Sequence, residues 1–386
     1  IFALAIVWWT AGELKIKNEK LKITIKNSKF VYLLVCLSAY LLYALASVLW
    51  ADSKNLALYS WHWFAEGIGI FLVLRVVKID IVKLVWSFIF SALIQSSLGL
   101  WQFFSQSTFA SKWLGMALHD PAIPGTVVAE TALRRWLRAY GCLPHPNILA
   151  GFLSVAMFLT FWLYQKTNHS FKKLILPAVF SVLSLGLFTT FSRSVILSFL
   201  AILILSWFAL FIFRQPRQLK INLLKFTFIF LVIAAIFAVI FWEPVETRIS
   251  GEERLETKST AERLDYFGEA WQLIKAHPFF GVGLGNYTLA IHNEINPNLQ
   301  SWGYQPVHNI YILILAELGI VGFLFWLVAI IFIIKESAIT HYPLLVTLLI
   351  IGLFDHYLWT FYFGVLLFWL VFSLGQKRLD NHFDKV

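Results

Sequence analysis

Two cysteines, two methionines and only 21 acidic side chains are spread over 386 positions. The shortage of cysteine excludes a disulfide scaffold, since Cys36 falls in an apolar run and Cys142 in a polar one. No C-x-x-C or H-E-x-x-H spacing occurs, so neither a metal site nor a cofactor is expected. Charge is scarce too, at 13% of residues, which is about half the share of an ordinary soluble domain. In its place stand 59% hydrophobic residues, with 37 Phe and 17 Trp, and a mean hydropathy of +0.75. That balance excludes a soluble globular chain and implies a polytopic membrane protein.

A bilayer core needs roughly 20 consecutive apolar residues per helix. Such runs fall at 31–50, 57–77, 83–104, 147–165, 173–190, 194–213, 222–242, 307–334, 343–355 and 357–374, and residues 1–9 read as the tail of one more. The expected fold is an all-α polytopic bundle of about 11–12 transmembrane helices. Placing residues 11–29 in the cytoplasm puts 20 of the 31 basic residues on that side, among them Lys15, Arg75, Lys172, Arg214, Lys335 and Lys377. Lysine and arginine resist translocation, so the C-terminus is expected inside and the polar stretch 243–306 outside. The chain opens on Ile with residue 1 outside, and a further span is expected ahead of it. The net charge of +10 is then topological, and no nucleic-acid partner is expected. Residues 15–26 alternate polar and apolar, as a short cytoplasmic hairpin would. The organisation expected is a bundle over 1–242 that includes an outer loop 105–146, a large external loop 243–306, further helices over 307–376 and a tail 377–386.

The two outer loops hold the candidate chemistry. The first ends in LRRWLRAYGCLPHPNILAGFL, which sets Arg134, Arg135, Arg138, His145 and Asn147 just before a span. Arginines on the external side run against topology. They read either as lipid-headgroup anchors beside Trp136 or as holders of an anionic ligand. In the second loop Ser259-Thr260-Ala261-Glu262 fits a capping box, predicting a helix that starts there with Arg263 in its first turn. Leu264, Phe267, Trp271 and Ile274 give that helix one apolar face, and His277-Pro278 ends it. Gly281, Gly283 and Gly285 do not have the spacing of a dinucleotide fingerprint and are expected to permit a tight turn toward the bundle. Asn286-Tyr287-Thr288 is a formal glycosylation acceptor and a common chance match.

Polar residues within the spans are few. Arg193, flanked by Ser192 and Ser194 in TTFSRS, sits between two runs with almost no loop. An ionisable group there is costly, so it suggests function, with snorkelling from a helix end as the alternative. Glu317 is expected about 13 Å deeper than His308 on one helix and reads as a partner for a neighbouring helix. His308-Asn309 opens a span, and Asp355-His356 closes another on the same side. Arginine forks suit a diphosphate and stabilise its charge on departure, while a histidine can take a proton from a hydroxyl near neutral pH. Together these are the parts of a metal-free glycosyl transfer from a lipid diphosphate.

In order and spacing, RAYGCLPHPNILAGFL, TTFSRS, ERLDYFGEAWQLIKAHPFFGVGLGNY and HNIYILILAELGIVG resemble the O-antigen ligase and Wzy-type polymerase superfamily of bacterial membrane proteins. The resemblance implies a GT-C-like glycosyltransferase of the inner membrane. It would pass a glycan from undecaprenyl diphosphate to a hydroxyl of a glycan, lipid A core or protein on the periplasmic face, without a metal and with inversion. It implies diphosphate binding by Arg193 and Arg263 and a base or orienting role for His308, and it matches Arg138 and His145 to a further motif. Asn147, Asn309 and Asp355 stand beside these as candidate substrate-binding residues. Ligase, polymerase and protein O-oligosaccharyltransferase are not separated by these motifs. A flippase lined by Arg193, Glu317 and Asp355, and an inactive assembly partner, are the competing classes.

Overall fold

The computed structural model describes residues 28–77, 79–337 and 342–374. The expected span at 1–9, the hairpin at 15–26 and the tail at 377–386 lie outside the described residues. In chain order the elements are α1 (Ser28–Ala46), α2 (Lys54–Val76), α3 (Ile81–Ser105), a hairpin of β1 (Val128–Glu130) and β2 (Arg135–Leu137), α4 (Pro146–Lys166), α5 (Ser170–Thr189) and α6 (Arg193–Ile212). They continue as α7 (Arg217–Ile240), α8 (Trp242–Ser250), α9 (Arg254–Ala276), a single turn α10 (Tyr287–Ala290), α11 (Ile310–Glu336), α12 (Tyr342–Gly352), a single turn α13 (Tyr357–Thr360) and α14 (Tyr362–Leu374).

Among the described residues eight helices are long and apolar enough to cross a membrane, and α12 and α14 are shorter apolar helices. Their positions follow the ten apolar runs of the sequence, because both are set by where polar groups must return to water. The chain is an all-α polytopic membrane protein.

The chain divides into two compact units. One comprises residues 1–81 with 262–386, the other residues 82–261. In the second unit α4 is the central helix, with 89% of its membrane-crossing window buried against 22–44% for the other seven spans. α5 packs on α4 and α7, and Ser96 Oγ of α3 donates to Val182 O at 2.9 Å. In the first unit α2 packs on α14 where Gly67 lies against the Trp369 ring, and α1 packs on α11.

α11 is not one uninterrupted helix. Gly319 (φ 64°, ψ −174°) breaks it just after Glu317 and Leu318, so the stretch from Ile310, two residues after His308, to Glu317 stays on one helical segment. A break inside an apolar span frees backbone groups that lipid cannot satisfy. Here they are met by protein. Ala316 O accepts from Val282 N at 3.1 Å, Glu317 O from Gly283 N at 2.8 Å and Leu318 O from the Tyr43 hydroxyl at 2.8 Å. On the far side Ile320 N donates to Pro278 O at 2.9 Å and Val321 N to Phe279 O at 3.3 Å. The glycine-rich exit from α9 is therefore a backbone partner for the broken helix. Gly281 (φ 66°) must be glycine for this, because a Cβ there would lie 2.4 Å from the Glu317 carbonyl.

Two expectations are corrected. α9 starts at Arg254, not after Ser259, so Ser259 is inside the helix and Arg263 is near its middle rather than in its first turn. The Glu253 carbonyl already accepts from Glu256 N and Thr257 N at 2.9 Å each, and buried ion pairs of Glu256 hold this first turn. A local capping motif is worth about 1 kcal/mol, and tertiary contacts override it. The docked face of α9 also differs: Tyr266, Ala270 and Leu273 are buried, whereas Leu264, Phe267 and Trp271 are exposed. Periodicity reports an apolar stripe, not what covers it.

Candidate functional site

In the first unit the chemistry gathers before the start of α11. Asn309 caps that helix, its Oδ1 accepting from Tyr311 N at 3.0 Å and Ile312 N at 3.1 Å, while its Nδ2 donates to Leu353 O at 3.2 Å. The cap fixes the backbone one residue after His308. The His308 ring stacks parallel to Tyr266 of α9, with centroids 6.0 Å apart, and meets His356 edge-on at 4.9 Å. Asp355, itself buried, accepts from His356 N at 2.8 Å and Tyr357 N at 3.4 Å just before α13. His356 Nδ1 lies 2.6 Å from Thr360 Oγ1, and that hydroxyl reaches His356 O at 3.2 Å.

Burial pushes the His308 imidazole down to about 4; His356 and Arg263 push the same way, and Asp355 and the Pro306 carbonyl oppose them. Burial also lowers His356, against Asp355. Both rings are therefore neutral at pH 7, and Arg263 acts on both. Arg263 is one turn before Tyr266 on α9, which puts the two on one helical face.

Glu317 is buried, as expected for a partner of a neighbouring helix. Trp359 Nε1 donates to its Oε2 at 2.7 Å, and the backbone amides of Gly285 and Tyr287 also bond to it. The carboxylate thus ties α11, α13 and the glycine turn together. Trp359→Phe leaves that buried acceptor short of a donor and is expected to cost about 1–3 kcal/mol. A lowered thermal midpoint of the detergent-solubilised protein reads this out, and an unchanged midpoint rejects it.

The second unit has a different centre, the turn between α5 and α6. Arg138, buried at 5% exposure just after β2, donates through Nε to Thr190 O at 2.6 Å and through Nη2 to Asn147 Oδ1 at 2.7 Å. Burial lowers its affinity for its proton, as do the charges of Arg248 and Arg193, while Tyr140 and Glu256 raise it. His145 caps α4, its Nδ1 accepting from Asn147 N at 3.1 Å, so the PHPN stretch is a helix start that also holds Arg138. Gln102 of α3 fixes the following residues, accepting from Tyr140 N at 3.0 Å and Gly141 N at 2.8 Å. Arg193 opens α6, with Nη2 2.8 Å from Glu256 Oε2 and Nη1 donating to Arg248 O at 3.2 Å. Arg248 bonds through Nη1 to the other Glu256 oxygen and through Nη2 to Phe191 O at 3.0 Å.

Each expected site residue thus has a place. His308, Asn309, Asp355 and Arg263 belong to one unit, and Arg193, Arg138, His145 and Asn147 to the other. Sequence reasoning missed Arg248, Glu256 and Tyr266, and noted His356 without assigning it to the site. The sequence hint for the first two is the glycine between them, Gly251, which takes the left-handed conformation (φ 69°) at the end of α8. Among the described residues no three His, Cys, Asp or Glu side chains form a group that could hold a metal ion.

No curated protein matches the chain. Residues 178–327 match the O-antigen ligase (Wzy_C) family model, a stretch that contains Arg193, Arg248, Glu256, Arg263, His308 and Gly319 but not Arg138 or His356. The chain is thus a polytopic helical bundle in which residues 178–327 are similar to the O-antigen ligase family.

Proposed function

We propose that this protein moves an oligosaccharide or polysaccharide from undecaprenyl diphosphate to a hydroxyl acceptor on the periplasmic face of the bacterial inner membrane. The family match supports a glycosyltransferase-type enzyme acting on a lipid-linked glycan. In this reading the acceptor oxygen attacks the anomeric carbon, and the bond from that carbon to the diphosphate oxygen breaks. The electron pair leaves with undecaprenyl diphosphate, and the hydroxyl proton passes to His308. Arg193 and Arg263 serve the diphosphate, since planar guanidinium forks match its oxygens and gain strength as charge develops on departure. Arg138 adds positive charge, and His145, Asn147, Asn309 and Asp355 hold the backbone and side chains that carry these groups.

The observation that carries the reading is the setting of His308. An imidazole half-buried between Tyr266 and His356 and within the field of Arg263 is unprotonated at pH 7, so its nitrogen is open to a proton beside a cation suited to the diphosphate. The flippase alternative is less favoured. Glu317 and Asp355, which would have to line its path, are buried and bonded to donors in their own unit.

The test is reconstitution of the purified chain with undecaprenyl-diphosphate oligosaccharide and separate acceptors. A ladder of products identifies a polymerase, one glycan on lipid A core a ligase, and glycan on a peptide a protein glycosyltransferase. Arg193→Ala and Arg263→Ala are each expected to lower transfer by about 10²- to 10³-fold. Full activity in either variant removes that arginine from the mechanism, and lipid movement without product favours the flippase.

A further inference from the structure

One ion-pair network in the second unit joins Arg193 to two residues, Glu256 and Arg248, that have no role in the chemistry just described. Glu256, in the first turn of α9, has a side chain only 3% exposed, and both its oxygens are engaged, one by Arg193 and the other by Arg248. The arginines brace each other as well: Arg193 donates to the backbone carbonyl of Arg248, and Arg248 donates to the carbonyl of Phe191, two residues before Arg193. Arg138 bonds to Thr190 in the same turn. Three guanidinium groups therefore converge on residues 190–193 around one carboxylate, an excess of two positive charges among these four groups.

Exposure separates the roles. The Arg193 side chain is 38% exposed, whereas those of Arg248 and Glu256 are 15% and 3% exposed. Glu256 thus holds Arg193 from the buried side and leaves its open side to solvent. A buried carboxylate is costly unless paired, and one so placed lowers the local positive charge that an anion would seek. Its presence is unexplained by affinity alone. It is explained by orientation: an arginine whose Nη2 is held by Glu256 and whose Nη1 is held by the Arg248 carbonyl loses little freedom when an anion meets its remaining N–H groups.

We propose that Glu256 is a positioning residue that aims Arg193 at the departing diphosphate, with Arg248 as the second clamp on the same carboxylate. The proposal rests on the reading of Arg193 as a diphosphate ligand. It differs from a simple charge effect in sign. Neutralising Glu256 raises the local positive charge, so diphosphate binding stays as tight or becomes tighter, while loss of aim slows bond breaking.

The experiment uses the reconstituted full chain with its lipid-linked donor. It measures kcat, and separately the inhibition constant of inorganic diphosphate, in wild type, Glu256→Gln, Glu256→Asp and Arg193→Ala. Glu256→Gln is expected to lower kcat by about 10- to 100-fold with an unchanged or lower diphosphate inhibition constant, and Glu256→Asp is expected to recover part of kcat. A wild-type kcat in Glu256→Gln, or weakened diphosphate inhibition with kcat retained, overturns the proposal. If Glu256→Gln does not fold, a Glu256→Asp variant that folds yet shows no kcat loss and a weaker diphosphate constant also overturns it. Arg193→Ala that keeps both kcat and diphosphate inhibition at wild-type values instead overturns the reading of Arg193 itself.

Discussion

Replacing His308 by alanine is expected to lower glycan transfer by about 10²- to 10⁴-fold, with the fold intact by thermal unfolding. The side chain precedes the cap of α11, and Asn309 rather than His308 supplies the capping bonds. Its loss removes a proton acceptor while the capping bonds of Asn309 remain. Transfer at the wild-type rate in His308→Ala would remove the base from the mechanism. The pH profile gives a second readout. Free imidazole titrates near 6.5, whereas burial with His356 and Arg263 takes His308 down to about 4. The acid limb of kcat/KM, which reports the free enzyme, is expected near pH 4 rather than 6.5. A bound diphosphate offsets the Arg263 charge and raises the proton affinity of His308, so the limb of kcat lies at higher pH. Coincident limbs near pH 6.5 would contradict this. Stability follows the same sign. Between the two values the unfolded chain binds more protons, so the His308 contribution is complete above about 6.5 and is lost as pH falls through about 4.

Gly319→Ala is expected to destabilise the protein by roughly 3–5 kcal/mol, because two costs coincide at that position. The conformation φ 64°, ψ −174° is accessible in practice only to glycine, and an added Cβ would lie 2.2 Å from the Phe279 carbonyl oxygen. Relieving the clash means moving 278–283 away, and the backbone bonds to Ala316, Glu317, Ile320 and Val321 go with it. Those groups lie in an apolar span, where water does not replace the lost partners. Gly268→Ala is the control. That glycine is on α9 with nothing within 4 Å of a Cβ, so alanine there is expected to be neutral or slightly stabilising. Thermal midpoints that fall equally for the two variants, or not at all for Gly319→Ala, reject the account of the break.

The ends of the spans were legible in the sequence to within a few residues. The run 147–165 became Pro146–Lys166, and the close approach of two runs at Arg193 became the turn between α5 and α6. Transfer of side chains between lipid and water is a property of each residue in turn, and a linear reading captures it. Signals that needed a partner failed. Ser259 has the chemistry of a cap, yet α9 starts five residues earlier, at Arg254, and Glu256 with its two arginines holds that first turn. The 307–334 run contains nothing that demands a break, because glycine is common in membrane helices. The break exists because 278–283 supplies the donors and acceptors it needs.

The sequence by itself determined that this chain is a polytopic helical membrane protein, carried a resemblance to the O-antigen ligase family, and singled out Arg193, Arg263 and His308 as the residues to question. Hydropathy and motif order sufficed for that, since each is read along the chain. Only the tertiary structure decided that α11 is broken at Gly319, that His308 stands between Tyr266 and His356, and that Glu256 joins Arg193 to Arg248. Pairing energies depend on separation in space, and residues up to 63 positions apart in the sequence meet in these contacts only after the helices have packed.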